Sequence, residues 1–252
     1  MPPAAQPMLY YSSILDGSST DYEGHTTSVI YLGGCPLRCP WCYVPALLSR
    51  STSIPANVEF FVSHYRQQPE ADAVCISGGE PTDQGEAFVE LCKALKGEGA
   101  KIKVETSGFY PDVLIKALPF IDYVAFDVKS VLDIDSYYAV TGSRGNSFAI
   151  VTNVIRSIEA LKRTAGVFKE FRTTVVPGLT DNAQTIDAIT RELKIADLYV
   201  LQQFRPDLEL VDGLFQGLAM TPKTVLMDLA SVAKKNIPNV AIRTVDDGLV
   251  RL

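Results

Sequence analysis

An α/β fold built around a parallel sheet is predicted from three observations. Short β-rich runs alternate along the chain with helical ones, the helical segments run ten residues or more in most cases, and the unusual polar residues fall at strand ends. The run 27–32 is rich in β-branched and aromatic residues and predicts a strand feeding a cysteine loop. A helix is expected over about 58–67, then a strand over 73–77. Across 85–95, Phe88, Val89, Leu91, Cys92 and Leu95 recur at helical spacing. The pattern continues with a strand at 101–105, a helix at 112–118 and a strand at 123–127. A longer helix over about 147–163 precedes a strand at 170–176. A helix near 183–193, a strand at 198–202, a helix at 223–235 and a last strand at 240–244 complete the series.

The chain has 252 residues and is 47% apolar, enough for one large α/β domain or two small ones. No internal repeat or low-complexity linker divides it. A single domain over 1–252 is expected, with a core of about 25–245. No stretch approaches the ~20 apolar residues of a membrane span, and residues 1–7 lack the charged and apolar blocks of a signal peptide. A cytoplasmic, reducing setting is therefore expected, without a membrane partner. A net charge of −6 and a pI near 5.0 argue against broad nucleic-acid binding, which needs a cationic surface.

Cys35, Cys39 and Cys42 are the most informative residues. Three thiolates within eight residues can hold a [4Fe–4S] cubane by three irons and leave the fourth open. Iron–sulfur sites that only carry electrons usually have four cysteine ligands, and a structural zinc wants four closed ligands. A zinc knuckle here lacks a fourth ligand: His25 and His64 are not at finger spacing, and Cys75 and Cys92 lie in a predicted strand and helix. Three clustered thiols cannot pair evenly as disulfides either.

Parallel sheets place ligands beyond the carboxyl ends of their strands. The cysteine loop, 77–80, 105–108, 127–129 and 203–205 all lie at or just past predicted strand ends. Arg172 lies within its strand, near the start, and has to point inward to join them. Gly78 and Gly79 permit close backbone approach and positive φ. Thr82 or Asp83 stands where a cap of the following helix is expected.

The cysteine run, together with Ser77, Gly78, Gly79, Glu80 and Pro81, resembles the radical S-adenosylmethionine superfamily. That resemblance implies a partial (β/α)6-type parallel barrel, a [4Fe–4S] cluster and S-adenosylmethionine. In that family the methionyl amino and carboxylate groups chelate the open iron, and an electron from the cluster cleaves the sulfonium to give a 5′-deoxyadenosyl radical. Cys35, Cys39 and Cys42 would be cluster ligands and catalytic. Trp41 and Tyr43 would contact the adenine, with core packing the alternative for Trp41. Gly78 and Gly79 would hydrogen-bond the methionyl amino group, and a bulky residue at Gly79 is expected to spare the cluster while weakening cofactor binding. Glu80 would bind the cofactor or hold the loop.

Two further motifs, 105–109 and 126–129, resemble strand ends of glycyl-radical-enzyme activating enzymes. There an acidic residue and an Asp-x-Lys motif surround the cofactor, in some members with a monovalent cation. The resemblance implies cofactor-binding roles for Glu105, Asp127 and Lys129, with a barrel-mouth salt-bridge network as the alternative. Glu105 stands where the pyruvate formate-lyase activator has aspartate, so the cation is an open question. Segments 170–178 and 199–206 resemble archaeal-type anaerobic ribonucleotide reductase activating proteins. Arg172 would reach the carboxylate or ribose of the cofactor, and Arg205 would lie near it or form a surface salt bridge. His25 is expected to be a local hydrogen-bonding residue. The implied partners are a glycyl radical enzyme and a flavodoxin or ferredoxin-type electron donor. Two other readings stand beside this one: a radical enzyme acting on a small molecule or nucleoside precursor, and a non-catalytic iron–sulfur or zinc adaptor.

Overall fold

The computed structural model describes residues 7–142 and 147–252. The strands are β1 (Met8–Ser18), β2 (Thr27–Leu32), β3 (Ile54–Asn57), β4 (Ala73–Gly78), β5 (Lys101–Thr106), β6 (Tyr123–Asp127), β7 (Phe168–Val175), β8 (Leu198–Gln203), β9 (Val240–Thr244) and β10 (Gly248–Arg251). The helices are α1 (Val58–Arg66), α2 (Glu86–Gly97), α3 (Pro111–Ala117), α4 (Ile134–Thr141), α5 (Ser147–Arg163), α6 (Ala183–Glu192), α7 (Gly213–Gln216) and α8 (Lys223–Ala233). One sheet carries all ten strands in the order β10-β9-β8-β7-β6-β5-β4-β2-β1-β3. Strands β2 and β4 to β9 run parallel, and β1, β3 and β10 are antiparallel edges. Six helical crossovers thus join seven parallel strands, and the sheet stays open between β3 and β10. That is a partial barrel of the predicted kind.

Local chemistry sets the helix boundaries. Asn57, Asp133 and Asn182 cap α1, α4 and α6 by accepting from the N–H three residues on, at 2.8–3.0 Å. Pro111 opens α3, where its missing N–H costs nothing. Gly142 ends α4 in the left-handed conformation, at φ 62°.

The two faces of the sheet differ in chemistry. Ile30, Ile76, Val104, Phe126, Phe171 and Leu201 join Phe88, Leu91, Ile158 and Leu226 from the helices in one buried core. Each such side chain contributes about 2 kcal/mol of apolar burial. The concave face instead presents Lys103, Glu105, Asp127, Glu170 and Arg172, with a small apolar group of Leu198, Val200 and Ala241 beside them.

Five elements were not predicted: β1, β3, α4, α7 and β10. The strand expected at 170–176 begins two residues earlier, so Arg172 lies mid-strand rather than near the start. Among the described residues, no helix is long and apolar enough to cross a membrane.

Candidate functional site

The cysteine loop leaves the carboxyl end of β2 and is tied down from three directions by its backbone. Gly34 and Cys35 donate to the carbonyls of Leu47 and Leu48 at 2.8 and 3.3 Å. Arg38 N–H donates to the Thr141 carbonyl at 2.9 Å, at the end of α4, and a Cβ on Gly142 would stand 2.4 Å from the Arg38 carbonyl. Val211 and Asp212 N–H groups donate to the Cys42 and Pro40 carbonyls at 3.1 and 3.0 Å. The Arg38 guanidinium also donates back to the Cys35 and Leu37 carbonyls, at 2.6 and 2.8 Å. The loop conformation is therefore fixed by the protein itself.

Cys39 is buried, and Cys35 and Cys42 are partly so. Burial pushes the Cys35 thiol up to about 12, helped by the Glu80 charge, and the Cys39 thiol up to about 11, against the pull of Lys129. Metal loading must displace those protons. Among the described residues, no three His, Cys, Asp or Glu side chains are gathered as ligands of one metal ion. A cubane does not require that convergence, because each thiolate binds a different iron. Three thiols on one loop, with no closed set of metal ligands gathered among the described residues, fit such a cluster and fit structural zinc poorly.

Gly78 and Gly79 bring β4 against this loop. Gly78 has φ 126°, and a Cβ there would lie 2.1 Å from the Leu32 carbonyl. A Cβ on Gly79 would lie 2.3 Å from the Gly34 carbonyl and 2.6 Å from that of Leu47. The N–H groups of Gly79 and Glu80 donate to the Leu32 and Gly34 carbonyls at 2.9 and 2.8 Å. A side chain on Gly79 would press on the cluster loop itself, which argues against the expectation that a bulky residue there spares the cluster.

Glu80 is 1% exposed and accepts five hydrogen bonds. The donors are the Thr82 N–H and hydroxyl, the Thr106 hydroxyl, and the Ser107 N–H and hydroxyl, at 2.5–3.1 Å. Its carboxylate binds the end of β4 to the end of β5. Neither Thr82 nor Asp83 caps α2, contrary to expectation: Gly85 precedes that helix, and Asp83 accepts from Arg50 and Tyr110.

The concave face holds a ladder of charges. Arg172, 5% exposed, donates from Nη1 to Glu105 at 2.6 Å and from Nε to Asp127 at 2.8 Å. Glu105 also accepts from the Ser77 hydroxyl at 2.9 Å and lies 3.8 Å from the buried Lys103 ammonium. Burial opposes ionisation of Glu105, yet Arg172 and Lys103 hold its carboxyl down at about 2. Lys129 Nζ is 3.6 Å from Asp127, and that charge and the two thiols raise its pKa despite burial. Glu170, 1% exposed, sits behind Arg172 at 3.9 Å and accepts from the Tyr123 hydroxyl. Arg243 is 3.8 Å from Glu170.

The other predicted residues divide. Trp41 is 6% exposed and packs in the core against Phe215, ring centroids 6.3 Å apart, so its side chain has a packing role here. Tyr43 is 55% exposed beyond Cys42, and the charges of Glu105, Arg172 and Asp127 act on its hydroxyl. Arg205 forms a two-point pair with Asp207 at 2.7 and 2.9 Å. His25 bonds Asp72 at 2.7 Å, away from the cysteines, as expected of a local partner. Lys103, Glu170 and Arg243 were not singled out from sequence. The signal was present in the alternation of charged with apolar residues at 101–105 and 170–172, which puts Lys103 with Glu105, and Glu170 with Arg172, on one face.

Comparison with known proteins agrees with this geometry. Residues 29–189 match the family model of the radical SAM superfamily. A Methanocaldococcus jannaschii protein, provisionally named a glycyl-radical enzyme activating enzyme (MJ1227), is 35% identical over 93% of this chain and 96% of its own. The pyruvate formate-lyase-activating enzyme of Clostridium pasteurianum is 27% identical over 66% of this chain and 69% of its own. A 7-carboxy-7-deazaguanine synthase of Methanospirillum hungatei is 36% identical over a shorter stretch, 42% of this chain and 43% of its own. Among solved structures, TYW1 with a lysine-pyruvate adduct superposes with a TM-score of 0.61 at 17% identity, covering 88% of this chain and 77% of that one, a likeness of fold. The chain belongs to the radical SAM superfamily, whose enzymes use a [4Fe–4S] cluster and S-adenosylmethionine, and its relatives include glycyl-radical-enzyme activating enzymes.

Proposed function

We propose that this enzyme removes a hydrogen atom from a backbone glycine of a partner glycyl radical enzyme, and that the partner is anaerobic ribonucleotide reductase. The observation that carries the reading is the near full-length match to MJ1227. The resemblance of 170–178 and 199–206 to archaeal-type reductase activators supports the choice of partner. A sheet left open between its edge strands suits a protein substrate, because a loop can enter from the side. The docked partner then excludes water from the reacting centre.

In this reading Cys35, Cys39 and Cys42 hold the cluster, and one-electron cleavage of the sulfonium is the chemistry supplied there. Lys129 and Arg172 offer positive charge to the methionyl carboxylate. An ammonium group only donates, so backbone carbonyls at the strand end, not the N–H groups of Gly79 and Glu80, are the groups of this segment that would accept from it. Tyr43, exposed beyond Cys42, would contact the adenine. Glu80 holds two strand ends in place, and a flavodoxin or ferredoxin-type protein supplies the electron.

A second reading, action on a small nucleoside precursor, draws on the partial match to the deazaguanine synthase. Electron paramagnetic resonance separates the two. Reduced enzyme, S-adenosylmethionine and anaerobic ribonucleotide reductase should give a glycyl radical doublet. Cofactor cleavage with no protein radical would favour the small-molecule reading.

A further inference from the structure

The monovalent cation found in some activating enzymes does not fit the charges of this site. Glu105 and Asp127 carry two negative charges. Facing them are Arg172, at 2.6 and 2.8 Å, Lys129 at 3.6 Å from Asp127, and Lys103 at 3.8 Å from Glu105. Each of the four carboxylate oxygens already has a cationic or hydroxyl neighbour, the last being Ser77 on Glu105. Behind Arg172, Glu170 and Arg243 balance one another at 3.8 Å and leave the count unchanged. Three cations thus meet two carboxylates, and a fourth positive charge would enter against a surplus at short range, where Coulomb repulsion is strongest.

The guanidinium geometry explains how one residue fills the gap. Its planar fork lets Nη1 serve Glu105 while Nε serves Asp127, on adjacent strands β5 and β6. Arg172 stays charged at any working pH, and at 5% exposure it is anchored inside the sheet. We infer that the Arg172 guanidinium is the resident cation between Glu105 and Asp127, and that this chain works without a bound alkali-metal ion. The surplus positive charge is left for an incoming carboxylate. The inference rests on the reading of this rim as the cofactor site, not on the identity of the substrate.

The test compares sodium, potassium and choline chloride at matched ionic strength, which equalises screening. Two quantities are read: the melting midpoint of the metal-free protein, and 5′-deoxyadenosine formation by the reconstituted, reduced enzyme. Wild type should melt alike in all three salts and cleave S-adenosylmethionine at rates within about two-fold, because an ion that does not bind the native state cannot stabilise it. An activation of about ten-fold or more by sodium or potassium, or a midpoint raised selectively by either, would overturn the inference. Arg172→Ala should gain a midpoint that rises with sodium or potassium over choline. A folded Arg172→Ala protein indifferent to all three would overturn the assignment of Arg172 as occupant. If that variant fails to fold, the wild-type comparison still decides. Failure to cleave the cofactor in every salt would sink the cofactor-site reading instead, and that outcome is distinguishable from salt-selective cleavage.

Discussion

Replacing Gly79 with alanine adds one methyl group where the end of β4 meets the cysteine loop. The new Cβ would lie 2.3 Å from the Gly34 carbonyl oxygen and 2.6 Å from the Leu47 carbonyl oxygen, both backbone atoms with no side-chain freedom to yield. Relief to ordinary contact requires the cysteine loop to move by roughly 1 Å, given that carbon–oxygen contacts sit near 3.3 Å or beyond. That displacement breaks or lengthens the Glu80 N–H to Gly34 bond of 2.8 Å and the Gly34 N–H to Leu47 bond of 2.8 Å. Overpacking costs about 1–3 kcal/mol, and one weakened buried hydrogen bond adds about 1 kcal/mol or more. A loss of ~2–4 kcal/mol corresponds to a melting midpoint lower by about 4–16 °C for a chain of this size. Because Cys35 follows Gly34 directly, iron and sulfide content after anaerobic reconstitution should fall as well. Gly97→Ala is the matched control: its Cβ meets nothing within 4 Å, and the variant should melt at or slightly above the wild-type midpoint. Gly79→Ala protein with a full iron complement and an unchanged midpoint would refute the close approach of β4 to the cluster loop.

Glu80→Gln removes the charge and turns one acceptor oxygen into a donor, so at least one of the five hydrogen bonds, that of a backbone N–H, fails and the hydroxyl donors lose a charged acceptor. The expected cost is ~2–4 kcal/mol in urea unfolding, and a change under about 0.5 kcal/mol would contradict the role as a strand-end tie. Glu105 is held at about 2, below its ordinary 4.5, so its stabilisation is complete above the unfolded value and is lost as pH falls from about 4.5 towards 2. Wild-type stability should therefore drop more steeply than that of Glu105→Gln across this window, by an amount on the order of 2–3 kcal/mol, and parallel curves would remove the Arg172 and Lys103 pairing as its cause. Arg205→Gln breaks a largely exposed pair with Asp207, so stability should change by less than about 1 kcal/mol. A rise in KM for S-adenosylmethionine in that variant would place Arg205 at the cofactor, whereas unchanged kinetics would leave it a surface ion pair.

The parallel strands were legible because β-branched runs separated by helical spacing leave little freedom of interpretation. The cysteine loop was legible for a different reason: three thiols at that spacing exclude most alternatives before any coordinates exist. The antiparallel edges were not. Strand β1 is largely half-buried or exposed, with Leu9 its one fully buried residue, and bulges break its register with β2, so no clean alternation marks it. Helix α4 was missed although Asp133 and Gly142 bracket it with a cap and a left-handed stop. Its return against Arg38 is a tertiary fact that the local pattern does not carry. The choice between the alternative roles of Glu80 and of Trp41 also lies beyond the sequence. One carboxylate engaged by five donors and one indole turned into the core depend on where β5 and α7 arrive.

The central claim is the transfer of a hydrogen atom from a partner glycine, and isotope transfer tests it most directly. Anaerobic ribonucleotide reductase carrying glycine deuterated at the α-carbon is mixed with reduced, cluster-loaded enzyme and S-adenosylmethionine. Mass spectrometry then reads the 5′-deoxyadenosine formed. The account predicts one deuterium in the 5′-methyl group, appearing together with the glycyl radical signal. Abundant 5′-deoxyadenosine without deuterium, and no radical on the partner, would contradict it.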